Sequence, residues 1–140
     1  MASQDPTIQR LCAAITDGRT ANIRYRQNEL QNLHKTLTEY ANSFADAISQ
    51  DTGATSAEAE AELFLTLDSL RHFYDGLDFE KEIKDEYAVA NGMDNLERRI
   101  GAGLVVVRPT SHTRLYSVVA PISAAVAAGN CVLLEVGSIE

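Results

Sequence analysis

An α/β fold is predicted, with helices leading and a strand–helix–strand unit following, and three observations predict it. Residues 121–135 run Pro-Ile-Ser-Ala-Ala-Val-Ala-Ala-Gly-Asn-Cys-Val-Leu-Leu-Glu, an Ala-rich apolar helix that breaks at Gly129-Asn130 and passes at once into an apolar strand. Upstream, Gly103 to Val107 reads as another apolar strand, so strand, crossover helix and parallel strand follow in order. Character also changes near Gly101: before it charged residues alternate with helical stripes, and after it only Arg108, Arg114, Glu135 and Glu140 carry charge. A nearly uncharged unit of this kind is expected of a sheet covered on both faces. It reads as the start of a dinucleotide-binding sheet, which two strands leave incomplete. The chain therefore divides into a helical region, residues 1–100, and the truncated start of a dinucleotide-binding, Rossmann-like domain, residues 101–140.

Each element has a local cause. Asp5-Pro6 supplies an N-cap acceptor and a proline at the first helical position, and Ile8, Leu11, Cys12 and Ile15 recur at helical spacing before Gly18. A longer helix is predicted from about Ala21 to Gln50, on the stripe Ile23, Leu30, Leu33, Leu37, Tyr40, Phe44, Ala47 and Ile48, with Gly53 just beyond it. The next helix opens at Thr55-x-x-Glu58, a capping box in which each side chain satisfies the other residue's backbone N–H, and buries Leu63, Leu67, Leu70, Tyr74 and Leu77. From Asp78 to Arg99 the pattern is charged and weak, with a short helix around Glu80 to Tyr87. Gly101-x-Gly103 precedes a strand instead of following one, so it is not read as a phosphate loop; Gly103 is expected to allow close backbone approach.

Composition narrows the function classes. A net charge of −8 disfavours a nucleic-acid footprint and attraction to a membrane surface. Leu115 to Leu134 is uncharged, but Pro121 and Gly129-Asn130 divide it, so no membrane insertion is expected. Cys12 and Cys131 share no metal or redox spacing; both are expected to be packed small hydrophobes, consistent with a reducing, cytoplasmic setting. His34 and His72 lie on different helices without an evident partner, Glu58, Glu60 and Glu62 read as structural, and the arginines as solvated. No Ser-His-Asp or metal-ligand spacing stands out.

Gly18-Arg19-Thr20, Arg26-Gln27-x-x-Leu30-x-x-Leu33, Ala47-Ile48-x-x-Asp51, Glu58-x-x-x-Glu62, Gly103 through Val107 and Pro121 through Leu134 together resemble the N-terminal portion of the aldehyde dehydrogenase superfamily, nearest its class 3, fatty-aldehyde branch. The resemblance implies oxidation of aldehydes to carboxylic acids with NAD or NADP: a cysteine thiolate attacks the carbonyl, hydride passes to the nicotinamide, and water hydrolyses the thioester. It also implies a side-chain amide on the loop after the first strand, holding the oxyanion, and a lysine ending the second strand, contacting the cofactor ribose.

At those two places this chain differs. Ser111-His112-Thr113-Arg114 stands where the family reads Trp-Asn-x-Pro, which puts His112 at the asparagine position. A neutral imidazole donates one hydrogen bond, so His112 is either an oxyanion donor or a loop histidine without a catalytic role. Glu135-Val136-Gly137 replaces Lys-Pro-Ser, and Glu135 is either an NAD-favouring substitution, repelling the 2′-phosphate of NADP, or a lost cofactor contact. By this resemblance the site residues are Ser111 and His112 on the oxyanion side, Pro109, Thr110 and Ser111 beside the cofactor, and Glu135 at the adenosine ribose.

The family's catalytic cysteine and glutamate base fall beyond Glu140, and neither Cys12 nor Cys131 sits in a setting that would activate a thiol. The chain alone is therefore expected to be inactive. Bare strand edges predict self-association, or pairing with the missing C-terminal portion or a full-length homologue. The alternative is a short non-catalytic remnant that binds a partner.

Overall fold

The computed structural model describes residues 5–96 and 98–137. Six α-helices and two strands follow in order: α1 (Pro6–Thr16), a 3-10 turn (Arg19–Ala21), α2 (Ile23–Glu39), α3 (Ala41–Thr52), α4 (Ser56–Asp75), α5 (Phe79–Ala90), β1 (Leu104–Val107), α6 (Arg114–Ala127) and β2 (Cys131–Leu134).

Local capping starts most helices. The Asp5 carboxylate accepts the Thr7 N–H at 2.8 Å at the head of α1. Asn22 does the same for α2, accepting from the N–H groups of Arg24 and Tyr25. At α4 the capping box is complete, with Thr55 N–H donating to Glu58 at 2.8 Å and Glu58 N–H donating back to the Thr55 hydroxyl at 3.4 Å. Asp78 caps α5 through the Lys81 N–H.

The helix expected over residues 21–50 is two helices, broken at Tyr40 (φ −105°, ψ 24°). Neither glycine nor proline marks the break. A straight helix of that length would span about 45 Å, and across the break Leu37 on α2 and Phe44 on α3 pack into the same cluster. That cluster is the centre of the core, with Leu37, Leu70 and Val119 buried and Leu33, Phe44, Leu67, Leu115 and Val118 around them. It lies among α2, α3, α4 and α6, and α4 against α6 is the most extensive packing of elements. Ala59 and Thr66 on α4 and Ser123 on α6 are fully buried, and such small residues let helices approach closely.

α6 begins at Arg114, so Pro121 lies inside the helix instead of opening it. A proline there removes the N–H that would bond the Ser117 carbonyl and crowds it. The cost is carried because the N-terminal half of α6 is anchored from outside, by Glu62 on α4.

β1 and β2 pair in parallel, from Leu104 opposite Cys131 to Val107 opposite Leu134, with α6 as the crossover. Val107 and Cys131 are buried, but Leu104, Val106 and Leu134 are 38%, 54% and 37% exposed. The double-sided cover expected from the apolar strands is therefore absent among the described residues. Cys131 is buried as expected; Cys12 is exposed, because α1 leaves its own apolar stripe unburied. No helix among the described residues is long and apolar enough to cross a membrane.

The close backbone approach falls at Gly101, not Gly103. A Cβ on Gly101 would stand 2.3 Å from the Gly129 carbonyl oxygen, while Gly103 contributes a φ of +107°. Asn130 completes this junction: its Oδ1 accepts the Gly103 N–H at 3.0 Å and its Nδ2 donates to the Ala125 carbonyl at 3.2 Å. The Gly-Asn element thus ties the end of α6 to the start of β1.

Candidate functional site

In an open parallel sheet, ligands gather at the carboxyl ends of the strands, where loops leave the sheet and helices begin. Here that edge carries residues 108–113, after β1, and residues 135–137, after β2. Pro109, Thr110, Ser111 and His112 thus share one edge with Glu135. Thr110, Ser111, His112 and Glu135 are exposed and Pro109 is half-buried.

The loop is built tightly. Thr110 donates its hydroxyl proton to the His112 carbonyl at 2.7 Å. Thr113, the residue before α6, has φ 44° and ψ 55°, a left-handed conformation costly for a β-branched residue, and its side chain makes no capping bond. The cap comes from α4. Glu62, only 9% exposed, accepts the N–H of Leu115 at 2.9 Å and of Tyr116 at 3.2 Å with one carboxylate oxygen. A carboxylate at a helix N-terminus satisfies orphan donors and complements the helix dipole. Beside it Arg114 donates to Asp51 at 2.9 Å, tying the same turn to α3. A cavity of about 220 Å³ opens between them, lined by Phe44, Ile48, Asp51, Glu62, Arg114 and Leu115. Glu62 is therefore the residue that fixes where the loop ends.

At the far end of α6, Arg26 is buried and donates to the Ala127 carbonyl at 2.8 Å and to the Ala21 carbonyl at 3.2 Å, with Glu82 as its ion-pair partner. The crossover helix is pinned at both ends by charged groups from the helical region.

Glu135 is not a free carboxylate. Register places residue 108 opposite residue 135, since Val107 pairs with Leu134 and the Glu135 N–H donates to the Val107 carbonyl at 2.9 Å. Arg108 then donates through Nε at 3.1 Å to Oε2 and through Nη2 at 2.8 Å to Oε1 and 2.9 Å to Oε2. These hydrogen bonds, and then the Arg108 charge, hold the Glu135 carboxyl below the usual glutamate range and raise Arg108 in turn. A carboxylate has about four acceptor positions, and three bonds already arrive from Arg108. Glu135 by itself therefore does not fit a chelator of two ribose hydroxyls. The pair does fit a sugar hydroxyl or a phosphate, because it keeps an acceptor position on Oε1 and the Nη1 edge of Arg108.

The sequence signals leave out Arg108 and Glu62, whose partners lie 27 and 53 residues away. His34 lines a groove with Leu30, Leu70 and Tyr74, and His72 meets Phe73 edge-on; neither lies on the loop. Among the described residues no group of three or more His, Cys, Asp and Glu could hold a metal. Cys131 opens β2 and so lies at the opposite end of the strand from Glu135, about 13 Å away at strand rise.

Comparison with known proteins follows the same lines. The model of the aldehyde dehydrogenase family matches residues 6–138. The mouse protein "aldehyde dehydrogenase family 3 member B1" is 29% identical over the whole chain, which spans 31% of that relative. The human protein of the same name is 30% identical over 96% of the chain and 29% of its own length, and mouse "aldehyde dehydrogenase family 3 member B3" is 28% identical over 95% and 28%. The chain thus spans under a third of the length of these curated relatives. No solved structure matches it significantly.

Proposed function

The chain belongs to the aldehyde dehydrogenase family, and on that premise we propose that residues 101–140 are the opening strand–helix–strand unit of a dinucleotide-binding domain serving NAD- or NADP-dependent aldehyde oxidation. The observation that carries this reading is the shared strand-end edge. The Pro109–Thr113 loop and Glu135 leave parallel, register-paired strands at the same side, where a dinucleotide fold binds its ligand.

The cofactor, when bound, accepts the hydride. The chain's own residues bind and orient. The His112 ring, exposed on a loop braced by the Thr110 hydroxyl, donates an N–H toward the oxygen on which negative charge develops. Ser111 lies beside it on the nicotinamide side, and Pro109 and Thr110 form the loop wall against the cofactor. Glu135, together with Arg108, meets the adenosine ribose.

Neither thiol of the chain sits at the strand-end edge. Cys131 is buried at the wrong end of β2, and Cys12, though exposed, lies on α1, away from the loop's own turn of chain.

A second reading, a non-catalytic protein that binds a partner such as a full-length relative or another copy, is favoured by apolar surface left open. Phe64 and Leu65 on α4 are 68% and 56% exposed, and Val106 on β1 is open to a similar degree. The readings separate in one assay: aldehyde-dependent NADH or NADPH formation by the natural polypeptide that carries this chain. The enzyme reading expects turnover, with His112→Ala lowering it by about a hundredfold, as for one lost oxyanion donor. No turnover by that polypeptide excludes it. Turnover unchanged by His112→Ala removes His112 from the mechanism.

A further inference from the structure

We propose that Arg108 sets the dinucleotide preference of this site, and that the Arg108–Glu135 pair accepts the 2′-phosphate of NADP where a lone Glu135 would reject it. The inference rests on the dinucleotide reading above and adds the residue that decides between the two cofactors.

Three observations carry it. First, the pair is preorganised by the sheet: register sets the two residues side by side, and three hydrogen bonds of 2.8–3.1 Å close it. A guanidinium fork against a carboxylate is a rigid arrangement, so the cation has a defined place. Second, the pair is neutral. The carboxylate that would repel a 2′-phosphate is cancelled at contact distance, and the phosphate meets a cation next to it. Third, the cation is still available. The Arg108 side chain is 75% exposed, Nε and Nη2 serve Glu135, and Nη1 makes no hydrogen bond among the described residues. The neighbouring cation Arg114 is engaged by Asp51 on α3, so it does not compete for this role.

Glu135 on this account is a positioning residue. It holds the guanidinium at the strand end, with one acceptor position left for the ribose 3′-hydroxyl. Arg108 supplies two N–H groups on Nη1 to phosphate oxygens, in the planar geometry that suits them.

The test uses two nucleotides that differ only in the 2′-phosphate, adenosine 2′,5′-bisphosphate and adenosine 5′-monophosphate, titrated calorimetrically into the natural polypeptide that carries this chain. The bisphosphate is expected to bind about tenfold more tightly, the size of one charge-assisted hydrogen bond. In Arg108→Gln the bisphosphate binds no more tightly than the monophosphate does to the same variant, while Glu135→Gln keeps or enlarges the difference. Both positions are exposed, and an unchanged circular dichroism spectrum checks that each variant folds. Equal binding of the two nucleotides, or an advantage that survives Arg108→Gln, overturns this proposal alone. Binding of neither overturns the dinucleotide reading as well.

Discussion

The carboxylate of Glu62, on α4, accepts the backbone N–H of Leu115 at 2.9 Å across 53 residues of sequence, and so caps α6 from a different helix. The cap that Thr113 would ordinarily supply is missing, because Thr113 is left-handed and its side chain makes no capping bond. The position of the 109–113 loop therefore depends on the helical region, and the cap is one of the links between the two halves of the chain, beside Arg26 on the Ala127 carbonyl and Arg114 on Asp51.

Removing that link has a definite cost. Glu62→Ala strips both the Leu115 and Tyr116 N–H groups of their acceptor in a largely buried setting and should destabilise the fold by about 2–3 kcal/mol. Glu62→Gln keeps an oxygen acceptor and should cost about half as much. Chemical denaturation checks both, and a Glu62→Ala midpoint equal to the parent would remove the cap from the account.

A methyl group separates two glycines that look alike in the sequence. Gly101→Ala drives a Cβ to 2.3 Å from the Gly129 carbonyl oxygen, so the backbone junction held by Asn130 must open. The expected loss is about 3 kcal/mol. At Gly137 a Cβ would meet nothing within 4 Å, and Gly137→Ala should stay near the parent. Similar melting temperatures for the two variants would contradict the close approach.

Stability should fall on the acid side. Glu58 is held below the usual glutamate range by the Thr55 backbone N–H and then by its hydroxyl, and Glu135 by hydrogen bonds from Arg108 and then its charge. A carboxyl whose pKa is lower in the folded chain binds protons more weakly there than when unfolded. Its contribution is complete above the unfolded value, about pH 4.3, and is lost as pH falls through the lower folded value. Thermal melts below that pH should therefore lose stability more steeply for the parent than for a Glu58→Gln, Glu135→Gln double variant. Identical slopes would contradict it. Added salt should weaken the Arg108–Glu135 part, since both side chains are solvated.

What is legible in the sequence is local. The Asp5 and Thr55 caps and the Gly129-Asn130 break involve residues within a few positions of each other, where side-chain chemistry and backbone need coincide. The strand limits at 104–107 and 131–134 are legible for a similar reason, as apolar runs closed by charge. The features that sequence misses are those decided by tertiary packing. Tyr40 interrupts a continuous apolar stripe with neither glycine nor proline to mark it, and Pro121 lies inside α6, whose first turn Glu62 caps from another helix. Arg108 is solvated, as the sequence suggests, but its pairing with Glu135 exists only once the register of β1 on β2 is known. Cys12 shows the same limit from the other side: helical spacing identifies a stripe but not whether anything covers it.

The central claim is that the strand ends of β1 and β2 form the front of a dinucleotide site, and hydrogen–deuterium exchange of the natural polypeptide with and without NADP tests it most directly. Nucleotide should slow exchange in peptides spanning residues 108–113 and 134–137 and leave α1 and α5 unchanged. Saturable protection confined to other segments, with these two unaffected, would contradict it.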